Sequence, residues 1–405
     1  MLFLRQIWRK HFFKPRRVYF DYAAATPLDA RVLRAMQYVN MDVFANPSSV
    51  HREGVRAKTL LRSARVRIAR ALRAREEEII FTSGGTESNN LAIFGVVEAL
   101  FREGRAYGDM HIITSSVEHV SILKPIAILE ARGVAVTYLP VDEHGQISLE
   151  NVVKALRKST VLISLMYVNN EIGTITPLRK ITSAVLKHYR EDKKKTAREF
   201  PLFHTDASQA PLFLDCSPER LGVDLLTLDA QKLYGPKGVG LLYKKHGSTL
   251  APILYGGAQE GSMRAGTESL ALICGFAEAL VIAEREHSSA QESVCLLRDS
   301  FIGNIEALIP QVIINGDRRE RIANNVSITI PDCDMEFLVI KLDHAGIAAS
   351  SASACLLETG SSYVVKVLRG SDLRSTEAIR FTLGKETTKR DIECAVKALK
   401  RCVKV

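Results

Sequence analysis

The chain has 405 residues, 46% hydrophobic and 25% charged, a balance typical of ordinary globular proteins with room for a large core and two domains. Formal charge is +10, but six of the positives (Arg5, Arg9, Lys10, Lys14, Arg16, Arg17) crowd the first seventeen residues; the mildly basic remainder argues against direct nucleic-acid binding and leaves anionic small ligands open. The longest apolar stretch, LALICGFAEALVIA, is broken by Glu278 and falls short of the roughly 18 residues a membrane span needs, and seven scattered cysteines without a C-x-x-C pair fit a reducing, cytoplasmic setting better than a disulfide framework or a zinc knuckle.

In chain order, the opening MLFLRQIWRKHFFKPRR reads either as an amphipathic targeting segment, though it lacks serine richness, or as a basic extension lying on the surface. Leu61, Ala64, Ile68 and Leu72 share one face, so 55–75 is predicted as an amphipathic helix with its arginines outward. Buried strands are expected at EIIFT (78–82), HIIT (111–114), VAVTYL (134–139), VLISLMYV (161–168), LFHTD (202–206) and DLLTLD (224–229), with helical segments between several of them, such as Asn90 to Arg102 and Leu149 to Lys158. That alternation predicts an α/β architecture with a mostly parallel sheet. The charged run 187–200 reads as solvated surface. After about residue 268 the pattern shifts to longer helices (270–287 and 289–308), a strand at NNVSITI and a terminal helix. A large domain over 28–268 and a smaller α+β domain from 1–27 with 269–405 are the resulting expectation.

Five stretches carry candidate chemistry. In FTSGGTESNN a strand runs into Gly84-Gly85-Thr86 and then a helix, a phosphate cradle by physics or a plain turn with a threonine cap. Asp206, ending the strand FHTD, is placed either to pair with a protonated ring nitrogen or to cap a helix. Lys232 follows an apolar strand and precedes the helix-stopping Gly235-Pro236; it is a snorkelling surface lysine or an amine kept available for imine chemistry. His119 is a packed core residue or, in a cofactor site, a ring-stacking proton carrier. Cys355 lies in GIAASSASACLLETG, as a buried structural cysteine or as a nucleophile on a mobile loop. Lysine, ring-pairing aspartate and phosphate cradle on one sheet edge are together what pyridoxal phosphate requires.

The order and spacing of FDYAAATPLD, ANPSSVH, FTSGGTESNN, VEHVSIL, YVNNEIGTI, FHTDASQA, QKLYGPKGVG, MRAGT, SSASAC and IRFTLG resemble the cysteine desulfurases, class-V members of the fold-type I pyridoxal phosphate enzymes, from about Val18 to the last helix. The resemblance implies a seven-stranded-type sheet, a homodimer, and pyridoxal 5'-phosphate joined through an imine to Lys232. It implies that Asp206 pairs with the pyridinium nitrogen, that His119 stacks on the ring and moves protons, and that Asn170 and Gln209 bond the ring substituents. Gly85, Thr86 and Gln231 would hold the phosphate, with Thr267 reaching over from the second subunit; Arg380, helped by Asn170, would clamp the substrate carboxylate. Cys355 would take sulfur from L-cysteine as a persulfide, leave alanine, and pass the sulfur to an iron–sulfur scaffold or another acceptor, including one serving RNA thiolation.

Two departures from the family pattern stand out. Asp229-Ala230-Gln231-Lys232 replaces the usual Ser-x-His-Lys; an aspartate facing the phosphate dianion would repel it, so either Asp229 turns elsewhere, or a basic residue compensates, or cofactor affinity is reduced. Ala352 replaces a loop glycine. Selenocysteine lysis, a transamination, and a non-catalytic scaffold with an altered phosphate site are the alternative readings.

Overall fold

Strands such as Ile79–Thr82 and Thr160–Ser164 are buried at every position, so neither face can tolerate water. Runs of that kind need helices on both sides of the sheet, which is what the chain builds. The computed structural model describes residues 17–191, 201–351, 362–370 and 378–403. Among them the elements are β1 (Val18–Tyr19), α1 (Ala30–Asp42), α2 (Arg52–Leu72), β2 (Ile79–Thr82), α3 (Gly85–Arg102), β3 (His111–Ser115), α4 (Val120–Ala131) and β4 (Ala135–Leu139). Next come α5 (Leu149–Ala155), β5 (Thr160–Ser164), α6 (Leu178–Glu191), β6 (Leu202–Asp206), α7 (Pro218–Leu221), β7 (Leu225–Asp229) and β8 (Gly240–Lys244). The last part holds α8 (Leu270–Leu308), β9 (Ile313–Ile314), β10 (Asn325–Thr329), α9 (Met335–His344), β11 (Ile347–Ala348), β12 (Ser350–Ser351), α10 (Tyr363–Arg369), β13 (Ala378–Thr382) and α11 (Lys389–Cys402).

Seven strands form the large sheet in the order β2-β8-β7-β6-β5-β3-β4. Only β8 runs against its neighbours, pairing antiparallel with both β2 and β7. Consequently β2 and β3 through β7 all point the same way, and the loops leaving them open onto one edge. The predicted strand at 161–168 ends at Ser164, and the remaining residues cross toward that edge. A second, antiparallel sheet has the order β12-β13-β10-β9, and β1 pairs in parallel with β11 beside it.

The two helices expected at 270–287 and 289–308 are a single 39-residue helix, α8. Serines at the expected break do not start a new helix. At the break the Ser289 hydroxyl bonds back to the Glu286 carbonyl at 3.0 Å, and one turn later the Ser293 hydroxyl bonds to the Ser289 carbonyl at 3.0 Å, so the helix runs through. Phe301 from this helix stacks on Phe20 at 5.7 Å between centroids and meets Phe381 edge-on at 5.3 Å. The cluster joins the start of the chain, the long helix and the last strand in one core. No described helix is long and apolar enough to cross a membrane.

Candidate active site

Loops leaving β2, β3, β5, β6 and β7 deliver Gly85 and Thr86, His119, Asn170, Asp206, and Asp229 with Lys232 to the common sheet edge, where they line a cavity of about 300 Å³. Ligands gather at this edge in open α/β sheets because the strand ends leave a crevice there. Gln209, Gln231 and Arg380 line the same cavity. Two further site residues expected from sequence are Thr267 and Cys355. Thr267 is exposed on the surface, and Cys355, like Ala352, the first sixteen residues and most of the charged run 187–200, lies outside the described residues.

Asp206 ends β6 and caps a turn, with no helix following it, so the helix-cap alternative falls away. Its Oδ1 accepts the Ser208 N–H at 3.0 Å, which starts the following turn, while Oδ2 accepts the Asn89 amide at 2.7 Å. Asn89 is four residues into α3 from Gly85, hence on the helix face that looks into the cavity. Its other amide bond goes to Ser121 Oγ at 2.8 Å. His119 is the N-cap of α4, and its Nδ1 accepts the Ser121 N–H at 3.2 Å. With Nδ1 acting as acceptor, a neutral ring carries its proton on Nε2. Burial holds His119 below the ordinary histidine range, opposed by the nearby Asp206 carboxylate. Beneath it Glu118 is fully enclosed; burial pushes its carboxyl up to about 8, although Ser115 Oγ at 2.6 Å and Met166 N at 3.1 Å both donate to it.

Lys232 directs its Nζ to the backbone carbonyls of Ala23 and Ala24, at 2.8 and 2.7 Å. Those carbonyls belong to the segment following β1, which also receives the Gln209 amide at Ala23 O, 3.0 Å. The turn after Lys232 is held rigidly. Tyr234 adopts a left-handed backbone (φ 60°), strained for a bulky residue. It is pinned there by its N–H to Thr26 Oγ1 at 2.7 Å and its hydroxyl to Glu386 at 2.8 Å. Gly235 closes the turn onto the Ala230 carbonyl at 3.0 Å.

The helix α3 begins without a side-chain cap, because its N-cap is Gly84 at φ 153°. Its first N–H, at Gly85, instead donates to Asp229 Oδ2 at 3.2 Å, and the Gln231 side-chain amide donates to the same oxygen at 3.0 Å. Asp229 thus faces the cradle, and Gln231 is engaged with it. Strand β8 approaches so closely that a Cβ on Gly240 would lie 2.7 Å from the Gly84 backbone.

Arg380, buried on β13, pairs with Asp21 at 2.9 Å and donates to the Asn170 carbonyl at 2.9 Å. Adjacent Glu171 accepts the Ser362 hydroxyl at 2.5 Å, and burial raises its carboxyl to about 7. Asn89, Asp21, Ser208 and Glu171 were not singled out from sequence. For Asn89 the helical spacing from Gly85 was a usable signal; for Asp21, which meets a residue 359 positions away, no local signal exists.

These residues fit pyridoxal phosphate. Asn89 Oδ1, Asn170 Oδ1 and Ser208 Oγ are buried on the cavity wall and have no partner among the described residues, the sign of a site built for a polar ligand. An amine, a carboxylate held by two donors and a flat histidine surround them, in a volume at the lower end of small-molecule sites.

Comparison with known proteins places the chain in a family. The aminotransferase class-V family matches residues 18–394. Cysteine desulfurase IscS of Dictyoglomus turgidum is 42% identical over 390 residues, covering 96% of this chain and 95% of that protein. Cysteine desulfurase IscS 1 of Archaeoglobus fulgidus is 36% identical over 384 residues, 94% of this chain and 95% of that protein. Among solved structures, a NifS-like protein superposes with a TM-score of 0.86 at 32% identity, over 95% of this chain and 98% of its own. SspA in complex with cysteine gives a TM-score of 0.76 at 32% identity, over 91% of this chain and 99% of its own. Matched along nearly its whole length at this level of identity, the chain belongs to the class-V aminotransferase family and, within it, to the cysteine desulfurases.

Proposed function

We propose that the protein is a pyridoxal-phosphate-dependent cysteine desulfurase that converts L-cysteine to L-alanine and keeps the sulfur as a persulfide on Cys355. The observation that carries this reading is the convergence of Lys232, Asp206 and His119 on one cavity at the strand ends. When bound, the cofactor supplies an electron sink for the substrate α-carbon.

The chain's own residues account for the remaining work. Asp206, held by Ser208 and Asn89, would keep the ring nitrogen protonated. Lys232 would anchor the cofactor and, once displaced by the substrate amine, act as a base. His119 would lie against the ring and move a proton through Nε2. Asn170 and Gln209 would bond the ring substituents, and Gly85, Thr86 and Gln231 would line the phosphate end. Arg380 would take the substrate carboxylate on the part of its guanidinium not given to Asp21.

Sulfur transfer then balances simply. The Cys355 thiolate forms a bond to the substrate sulfur as the Cβ–S bond breaks, and the electron pair left on the carbon skeleton is protonated to give alanine. Ser362, seven residues after Cys355 in sequence, bonds Glu171 on the cavity wall. Thr267, exposed and off the cavity wall of its own chain, would reach the site of a second copy, making the working unit a homodimer. An iron–sulfur scaffold or another thiol acceptor would receive the persulfide sulfur.

Alanine release from L-cysteine, followed with intact-mass detection of a persulfide, tests the reading. Wild type is expected to form both, Lys232→Ala neither, and Cys355→Ser to lose the persulfide and transfer to an acceptor. No alanine from the wild type would overturn desulfuration; a Cys355→Ser variant that still transfers sulfur would overturn the role of the thiol.

A further inference from the structure

The carboxylate of Asp229 stands where an anion would be bound. It is 7% exposed, at the end of β7, and collects three donors: the Gln231 N–H on Oδ1 at 3.2 Å, and the Gly85 N–H and Gln231 side-chain amide on Oδ2 at 3.2 and 3.0 Å. The Gly85 N–H opens an 18-residue helix with no side-chain cap, so the helix's positive end is met by a charge from the chain itself. A second feature points to a ligand at the same spot. Ser208 Oγ is 92% or more buried by residue, lacks a partner among the described residues, and lies 3.3 Å from where a Cβ on Gly85 would be, with Asp229 Oδ2 at 3.4 Å from that point. Hydroxyl, amide and carboxylate therefore converge within reach of a single ligand oxygen.

We propose that Asp229 is a cofactor-specificity residue: its carboxylate occupies the anion seat at the start of α3, so the site discriminates weakly between pyridoxal phosphate and phosphate-free pyridoxal. The inference rests on the cofactor reading above. The basic side chains lining the cavity do not offset the aspartate. Arg380 is paired with Asp21, Lys232 is needed at the aldehyde, and His119 is held toward its neutral form by burial. A phosphate entering the seat must take the Gly85 and Gln231 donors from Asp229 or share them with it, and either course sets like charges side by side. The aldehyde end of the cofactor meets no such conflict, so the cost falls on the phosphate alone.

The test is a spectral titration of the full-length apo protein with pyridoxal phosphate and with pyridoxal, for wild type, Asp229→Ser and the isosteric Asp229→Asn. Melting curves establish that each variant is folded, and the asparagine variant serves if the serine variant is not. Removal of the charge is expected to tighten pyridoxal phosphate roughly tenfold or more and to leave pyridoxal within about twofold. Unchanged or weaker pyridoxal phosphate binding in the folded variants, or an equal gain for both aldehydes, overturns the proposal. Phosphorus NMR of inorganic phosphate added to the same apo proteins provides an arm independent of the aldehyde. Phosphate binding by a variant and not by wild type supports the proposal, and equal binding or none overturns it. If wild type binds neither aldehyde, the cofactor reading fails, while the inorganic-phosphate arm still decides the role of Asp229.

Discussion

Asn89 spans two site residues with one amide group, donating to Asp206 Oδ2 at 2.7 Å and to Ser121 Oγ at 2.8 Å. The first bond stabilises the carboxylate in its charged form, which is the form that can hold a protonated ring nitrogen. Asn89→Ala leaves Asp206, among the described residues, with the Ser208 N–H as its donor and is expected to lower kcat/KM about tenfold, the scale of one charge-assisted hydrogen bond. Asn89→Asp is expected to cost more, because it replaces a donor to the Asp206 carboxylate with a second carboxylate that repels it; steady-state alanine formation by the two variants measures the order, and equal losses would remove the electrostatic explanation. At this scale the sequence identifies residues whose chemistry is rare, such as Lys232, Asp206 and His119. It is silent about Asp21 and Ser208, ordinary residue types whose place in the site depends on long-range packing. It also leaves the direction of Asp229 open, since a strand end can aim its carboxylate at the following turn, the cavity or both, and here it does both.

The elements around the cradle depend on close approach. Strand β8 lies against Gly84 and the Leu228 carbonyl, and a Cβ on Gly240 would meet these backbones at 2.7 and 2.8 Å. Backbone atoms cannot rotate aside as a side-chain tip can. Gly240→Ala is therefore expected to destabilise the fold by about 1–3 kcal/mol and to weaken cofactor binding by displacing the start of α3. Urea unfolding with a cofactor titration checks both effects, and a variant as stable as wild type would show that the strand can shift freely. The strands themselves were readable in sequence because burial on both faces leaves unbroken apolar runs. Their mostly parallel course followed from the helices between them, whereas the antiparallel course of β8 appears only in the pairing. Helix α8 failed in the other direction. Ser289 opens the second of the two expected helices, yet its hydroxyl turns back onto the Glu286 carbonyl of the same continuous helix.

For the whole molecule, four buried ionisable groups set opposing pH dependences. Burial lowers His111 and His204 to about 4 each, so between that value and the unfolded value of 6.5 the unfolded chain binds more protons and stability rises with pH. Burial raises Glu171 to about 7 and Glu118 to about 8 from 4.5, so over that range the folded chain holds the extra protons and stability falls as pH rises. The two pairs offset each other from about pH 4.5 to 6.5, and above 6.5 only the carboxyls still act. Urea midpoints are thus expected to decline from pH 6.5 to 8 through these groups, and Glu118→Gln, which has no proton to lose, to flatten that decline. An unaltered slope in the variant would show that Glu118 is already ionised in the native protein.

The ion pair of Asp21 with Arg380 and the pairing of Val18 with Ile347 have a consequence for biosynthesis. The carbonyls that hold Lys232 lie on the same early stretch as Asp21, yet that stretch gains its strand neighbours only after most of the protein has been translated. A ribosome-bound nascent polypeptide can assemble the large sheet while the stretch around Val18 and Asp21 still lacks its seat. Vitamin loading therefore belongs after release from the ribosome, when both ends of the polypeptide can meet.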